Sequence, residues 1–241
     1  MKNVVGVIPA RYASSRFEGK VLADLRGKPL IQHVWERASE ARTLDEVIIA
    51  CDDERVAEAA GRFGARCVMT SPQHACGTDR IAEVVNPLEV SIVVNIQGDE
   101  PLIHPSMIDG AAGALVQDDS VQVATVMKRI EDHALLDDPN VVKVVVDRYN
   151  RALYFSRGRI PYRAAHSAVG QPPYYKHIGL YAYTKDFLFT FKNIPHSLLE
   201  QTECLEQLRI LQEGFSIKVI ETEFDTFGVD TPEDLQRLKS L

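Results

Sequence analysis

"EVIIACDDERVAEAAGRFGARCVM", residues 46 to 69, holds three elements in a row. EVIIAC (46–51) is a continuous apolar run of strand length, with no polar alternation. A strand of that kind is buried on both faces, as in a parallel sheet. DDERVAEAAGRFG (52–64) changes the period. It places acids in a first helical turn, where they suit the helix dipole, and Gly64 where a helix stops. ARCVM (65–69) is then another short strand. One crossover helix between two buried strands is the parallel β-α-β unit, and that unit sets the fold class.

The same grammar runs outward in both directions. NVVGVIP (3–9) is a β-rich run bounded by a loop. KPLIQHVWERASEA (28–41) puts Leu30, Ile31, Val34, Trp35 and Ala38 on one helical stripe. TDRIAEVV (78–85) is a further helix opened by Thr78, and VSIVVNIQGDEP (90–101) is a strand running straight into polar residues. The expected architecture is α/β, a mostly parallel central sheet with helices on both faces. Ligands of such sheets bind beyond the carboxyl ends of the strands. The suspects are therefore the loop at 8–20, Asp52 and Asp53, the segment before Thr78, and QGDEP (97–101).

The second half reads differently. VQVATVMKRI (121–130), VVKVVVD (141–147), RALYFS (151–156) and IGLYAYT (178–184) are strand candidates with few helices between them. They make residues 120–190 a mixed or antiparallel portion of a single domain spanning 1–241. Gly170, Pro172 and Pro173 predict a loop over 162–176. Helices return at 198–213 and at the C-terminus, where Thr231 caps, Pro232 takes the first helical position, and Glu233 and Asp234 favour the dipole.

Composition narrows the function classes. The chain has 241 residues, 45% of them hydrophobic and 25% charged, as in an ordinary globular enzyme. Its 27 Lys and Arg stand against 34 Asp and Glu, a net charge of -7, which argues against nucleic acid as a partner. No apolar stretch approaches transmembrane length, so no membrane is expected. The apolar run at 4–10 stops at Arg11, short of a secretory-signal core. Cys51, Cys67, Cys76 and Cys204 form no C-x-x-C pair, and scattered thiols fit a reducing compartment. The expected location is the cytoplasm.

Within this acidic chain, IPARYASSRFEGK (8–20) gathers Arg11, Arg16 and Lys20 with Ser14 and Ser15. Gly19-Lys20 is not a phosphate-binding P-loop, because Ser14 and Val21 stand where that motif needs glycine and Ser or Thr. No G-x-G-x-x-G follows the first strand either. A long strand-to-helix loop with forked and point-charge donors suits a polyphosphate. A solvated loop with incidental charges fits its position equally well. Asp99 and Glu100 close a buried strand, where an acidic pair suits magnesium shared with substrate phosphates, although Gly-Asp and Glu-Pro are also turn dipeptides. Asp230 before Thr-Pro-Glu-Asp reads first as helix-start chemistry. Gly77 and Thr78 open a helix whose N–H groups could meet a base edge or a phosphate. Arg157, Arg159, His177 and Tyr181 come from the mixed half. Glu206 and Gln207 fall in a helical LEQLR.

Seven motifs occur in order: IPARYASSRFEGKVL, CGTDR, VNIQGDEP, ALYFSR, HIGLYAY, LEQLR and GVDTPEDL. Together they make the chain resemble, over essentially its whole length, the 3-deoxy-manno-octulosonate cytidylyltransferases, or CMP-Kdo synthetases. The resemblance implies a nucleotide-diphospho-sugar transferase fold of the glycosyltransferase-A-like type, a homodimer, and a smaller mixed portion for dimerisation and sugar binding. It implies transfer of CMP from CTP to Kdo with release of pyrophosphate, for lipopolysaccharide biosynthesis in Gram-negative bacteria. Arg11, Ser14, Arg16 and Lys20 match the triphosphate loop; Gly77, Thr78 and Arg80 match the segment near the cytidine. Asp99 and Asp230 match the magnesium carboxylates, with Arg16, Lys20, Asp99 and Asp230 as the catalytic set. Gln97, Arg157, His177, Tyr181, Glu206 and Gln207 match the surroundings of the sugar acid. Glu18 stands where relatives commonly carry proline, and Cys76 where serine is usual. An 8-amino-Kdo or other sugar-acid synthetase is the alternative within this class. A glycosyltransferase, a sugar-1-phosphate uridylyltransferase and a non-catalytic nucleotide binder are the alternatives outside it.

Overall fold

A computed structural model describes residues 2–14, 16–74, 76–168 and 170–240. β1 (Val4–Ala10) leads through the 11–19 loop and a short 3-10 turn to a small ribbon of β2 (Asp24–Leu25) and β3 (Lys28–Pro29). Then follow α1 (Leu30–Ser39), β4 (Glu46–Cys51), α2 (Glu54–Arg62), β5 (Arg66–Met69), α3 (Gly77–Val85), β6 (Ile92–Asn95), α4 (Pro105–Gln117) and β7 (Val123–Arg129). The second half adds β8 (Lys143–Val146), β9 (Ala152–Ser156), β10 (Tyr175–Thr184), α5 (Lys185–Asn193), α6 (Leu198–Glu203), α7 (Gln207–Gln212), β11 (Lys218–Thr222) and α8 (Pro232–Lys239).

The main sheet runs β11-β7-β10-β6-β1-β4-β5, with β8 paired to β10 and β9 paired to β8. β1, β4, β5 and β6 are mutually parallel, as are β7 and β11. β10 is antiparallel to both β6 and β7, so along this path it is the one reversed strand. The expected mostly parallel sheet is therefore present, and β7 and β10 of the second half belong to it. β8 and β9 form an antiparallel hairpin off its path.

Alternation in β1 explains how the helices settle. Val5 and Val7 enter one apolar cluster with residues of α3, α5 and α7, while Val4 and Ile8 enter another with residues of α1, α2 and α4. Helices thus cover both faces. Leu235 and Leu238 seat α8 on Leu25, Leu30 and Val229.

Local signals place most boundaries. The Asp53 carboxylate accepts from the Arg55 N–H to cap α2, and Gly64 follows that helix at φ 81°. Thr231 and Asp234 form a reciprocal capping box on α8. Two expectations shift. α3 begins at Gly77 with Cys76 before it, so Thr78 lies inside the first turn and is not the cap. β10 begins at Tyr175, two residues inside the expected 162–176 loop, because Tyr175 and Lys176 pair with both β7 and β8. The helices expected over 198–213 are α6 and α7, separated at Cys204, whose φ is 53°.

Candidate active site

The carboxyl ends of β1, β4 and β6 come together, and the loop after β1 folds over them. Gly19 sits at φ 68° and donates its N–H to the Tyr12 carbonyl at 2.9 Å, closing the loop on itself. Arg55 stacks over the Tyr12 ring at 3.4 Å from its centroid, and Glu18 adds its charge to the field around Arg55. The Tyr12 N–H donates to Asp52 Oδ1 at 3.2 Å. Asp52 Oδ2 in turn accepts from Arg80 Nη2 at 2.8 Å, and the Arg80 side chain is fully buried. Asp52 therefore ties the loop of β1 to a cation on α3. Gly98 completes the approach: a Cβ there would meet the Pro9 carbonyl oxygen at 2.8 Å.

These elements enclose a cleft of about 520 Å³ lined by Arg11, Ser14, Arg16, Lys20, Gly77 and Arg80. The sequence assigned all of these to the nucleotide; Thr78 faces the adjoining cleft instead. Ser15 lies outside the described residues. Asp99, Asp230 and Gln97 line the same cleft. Lys20 Nζ lies 2.7 Å from Asp99 Oδ2 and 3.1 Å from Asp230 Oδ1. Arg16 Nη2 is 3.1 Å from the same Asp230 oxygen. Two carboxylates far apart in the sequence thus converge on one positive charge. Among the described residues no cluster of three or more His, Cys, Asp or Glu could hold a metal alone. Magnesium takes one or two carboxylates and completes its shell with water and phosphate oxygens, so the pair fits that ion together with a nucleotide.

A second cleft, of about 240 Å³, shares Gly77 and Gln97 with the first and adds Thr78, His177, Tyr181, Glu206 and Gln207. Burial holds the His177 imidazole neutral, with its pKa lowered to about 3. Burial also raises the Tyr181 phenol well above its ordinary range and raises the Glu206 carboxyl, which the Arg209 charge partly opposes. The Thr78 hydroxyl donates to Glu206 Oε2 at 3.4 Å. Gln207 Nε2 is buried without a hydrogen-bond partner in the protein, a donor open to a ligand. Apart from the Glu206 carboxyl, these are uncharged polar groups, where the first cleft offers several charges.

Arg157 stands apart. Its guanidinium donates to the carbonyls of Glu203 at 2.8 Å, Pro139 at 2.8 Å and Cys204 at 3.4 Å, and it lines neither cleft. Cys76 is half-buried, its thiol pKa raised by burial, which keeps it protonated and a poor nucleophile. The four thiols are free. Sequence reasoning flagged Asp52 only as a residue after a strand, and missed Asn95 and Thr125. Asn95 lines the second cleft, and the partners of Thr125 lie on another strand, which no local pattern reveals.

A cationic loop, paired carboxylates and a polar pocket at the carboxyl edge of a mostly parallel sheet define a nucleotidyltransferase, and the chain belongs to the cytidylyltransferase family, whose model matches residues 5–220. The Solibacter usitatus (strain Ellin6076) 3-deoxy-manno-octulosonate cytidylyltransferase is 52% identical over 100% of this chain and 94% of that protein. The Geobacter metallireducens enzyme of the same name is 50% identical over 98% of this chain and 96% of that protein. Within the family, the chain is a member of the 3-deoxy-manno-octulosonate cytidylyltransferases. A solved CMP:2-keto-3-deoxy-manno-octonic acid synthetase in complex with CTP superimposes with a TM-score of 0.93 at 43% identity, covering 99% of this chain and 97% of that one.

Proposed function

We infer that this chain transfers CMP from CTP to the anomeric hydroxyl of Kdo, giving CMP-Kdo and pyrophosphate for lipopolysaccharide assembly. The observation that carries this is the joining of two clefts of different chemistry at Gly77 and Gln97. The larger, charged one suits a triphosphate and the smaller, less charged one a polyhydroxylated acid.

The chemistry is in-line attack of the anomeric oxygen on the α-phosphorus, with pyrophosphate leaving. Arg11 and Arg16 offer forked donors to phosphate oxygens, and Lys20 a point charge. Charge that builds on the leaving group is met by Arg16 and Lys20, so the protein acts mainly by placement and electrostatics. Arg80 supports the loop from below through Asp52. Gln97, His177, Tyr181, Glu206 and Gln207 hold the sugar acid. Arg157 reaches it only by giving up carbonyl partners, so it is the weakest member of that set. No side chain serves as nucleophile.

Asp99 and Asp230 would hold a magnesium ion, which would supply positive charge beside the phosphates and lower the pKa of the attacking hydroxyl. A homodimer is proposed through the mixed portion, where Leu153 is 61% exposed and Tyr149 63%. The cytoplasm is the proposed compartment; four free thiols suit it, and no described helix is long and apolar enough to cross a membrane.

A pyrophosphate-release assay crossing CTP and UTP with Kdo, 8-amino-Kdo and sialic acid tests the reading. Release with CTP and Kdo above every other pair is expected. Preference for 8-amino-Kdo moves the assignment to the alternative synthetase, and preference for UTP removes it from the cytidylyltransferases.

A further inference from the structure

β10 carries an irregularity beside the second cleft. Its register against β7 jumps between Ile178 and Tyr181, while the facing residues Val126 and Thr125 are consecutive. The extra residues, Gly179 and Leu180, form a bulge, and a bulge frees carbonyls that a regular ladder would use. The carbonyls of the two extra residues are recovered by side chains. The Gly179 carbonyl accepts from Gln97 Nε2 at 3.2 Å. Those of Leu180, at 2.8 Å, and Ile178, at 3.3 Å, face the Thr125 hydroxyl, which is fully buried.

The same hydroxyl lies 3.0 Å from His177 Nε2. A hydroxyl has one proton, and a carbonyl oxygen can only accept. Two oxygens 2.8 Å apart need a proton between them, so the Thr125 proton belongs to the Leu180 carbonyl. Thr125 Oγ1 must then accept from His177, which puts the imidazole proton on Nε2. The ring is wedged between Phe155, 5.0 Å away edge-on, and Tyr181, 5.4 Å away, and it lines the cleft. In a neutral imidazole the other nitrogen, Nδ1, carries the lone pair.

We propose that Thr125 is a positioning residue that fixes the Nε2–H tautomer of His177, so that Nδ1 is the acceptor for a hydroxyl of the sugar acid. This rests on the reading that His177 belongs to the sugar-acid cleft. The bulge, Thr125 and His177 then act as one unit: backbone carbonyls orient a hydroxyl, the hydroxyl orients a ring, and the ring selects a donor on the substrate.

Thr125→Val keeps the shape and removes the acceptor; Thr125→Ser restores it. Long-range proton–nitrogen correlation spectra of the full-length protein at neutral pH distinguish the two His177 tautomers. Expected are a wild-type spectrum with the proton on Nε2, a mixture of tautomers in Thr125→Val, and recovery in Thr125→Ser. In parallel, KM for Kdo rises about tenfold in Thr125→Val, the weight of one hydrogen bond, while KM for CTP does not follow and Thr125→Ser rescues. A wild-type spectrum with the proton on Nδ1 overturns the role of Thr125, and needs no variant to fold. An unchanged KM for Kdo in His177→Ala overturns the placement of His177 in the sugar-acid cleft, and with it the recognition half alone.

Discussion

Lys20 Nζ sits 2.7 Å from Asp99 Oδ2, a carboxylate 79 residues further along the chain, with only 11% of the lysine side chain exposed. The protein thus stores its own cation between carboxylates that would otherwise repel one another across the nucleotide cleft. Asp230 is the second of them, at 3.1 Å.

Asp99→Ala is expected to abolish turnover while the fold survives. The carboxylate is 30% exposed and Lys20 keeps Asp230 as a second partner at 3.1 Å, so the stability change stays within about 1 kcal/mol. Loss of a carboxylate proposed to hold magnesium should lower kcat by at least ~100-fold, as removal of a transition-state charge partner does. Pyrophosphate release with magnesium, beside a thermal melt, reads both. Near-normal activity in the variant ends the assignment of Asp99.

Arg80→Met should be costly to folding. It leaves Asp52, whose side chain is 10% exposed, without its cation, and breaking one side of a buried pair costs about 3–5 kcal/mol. Combining Arg80→Met with Asp52→Asn should recover part of that loss, because the stranded charge is gone. Urea denaturation of the single and double variants measures the coupling. Additive losses show that the two residues do not act as a pair.

His177 makes stability depend on pH with a definite sign. Its pKa falls from 6.5 to about 3 on folding, so the unfolded chain binds the extra proton first. The stability it contributes is complete above pH ~6.5 and is lost as pH falls toward ~3, with a slope approaching 1.4 kcal/mol per unit at most. Denaturation of wild type and His177→Gln at several pH values between 7.5 and 4.5 should show that the variant has the shallower dependence. Parallel curves contradict it.

Gly98→Ala tests the close approach of QGDEP to β1. The added methyl meets the Pro9 carbonyl oxygen at 2.8 Å, and backbone there cannot swing aside as a side chain would. Overpacking of this kind costs about 1–3 kcal/mol. Because Pro9 leads into the proposed triphosphate loop, KM for CTP should rise with the loss of stability. A variant with unchanged melting and kinetics shows that the loop position does not depend on this contact.

The parallel sheet was legible because EVIIAC, the acid-started helix after it and ARCVM each satisfy a local rule, and local rules need no knowledge of distant residues. Thr231 announced the start of α8 the same way. The register of β10 was not legible. Its first residues look like loop, since Pro172 and Pro173 precede them, and its bulge depends on β7 offering Thr125 opposite two misplaced carbonyls.

The site divides along the same line. By itself the sequence determined which residues carry charge, that Asp99 follows a buried strand, and, through the order of seven motifs, the family. Tertiary structure alone decided that Asp230 joins Asp99 at one lysine, that Arg157 is spent on carbonyls, and that Asp52 links the β1 loop to a buried arginine. The physical reason is reach. A cap or an amphipathic stripe is settled within a few residues, whereas a charge pair or a freed carbonyl finds its partner only after the strands have chosen their neighbours.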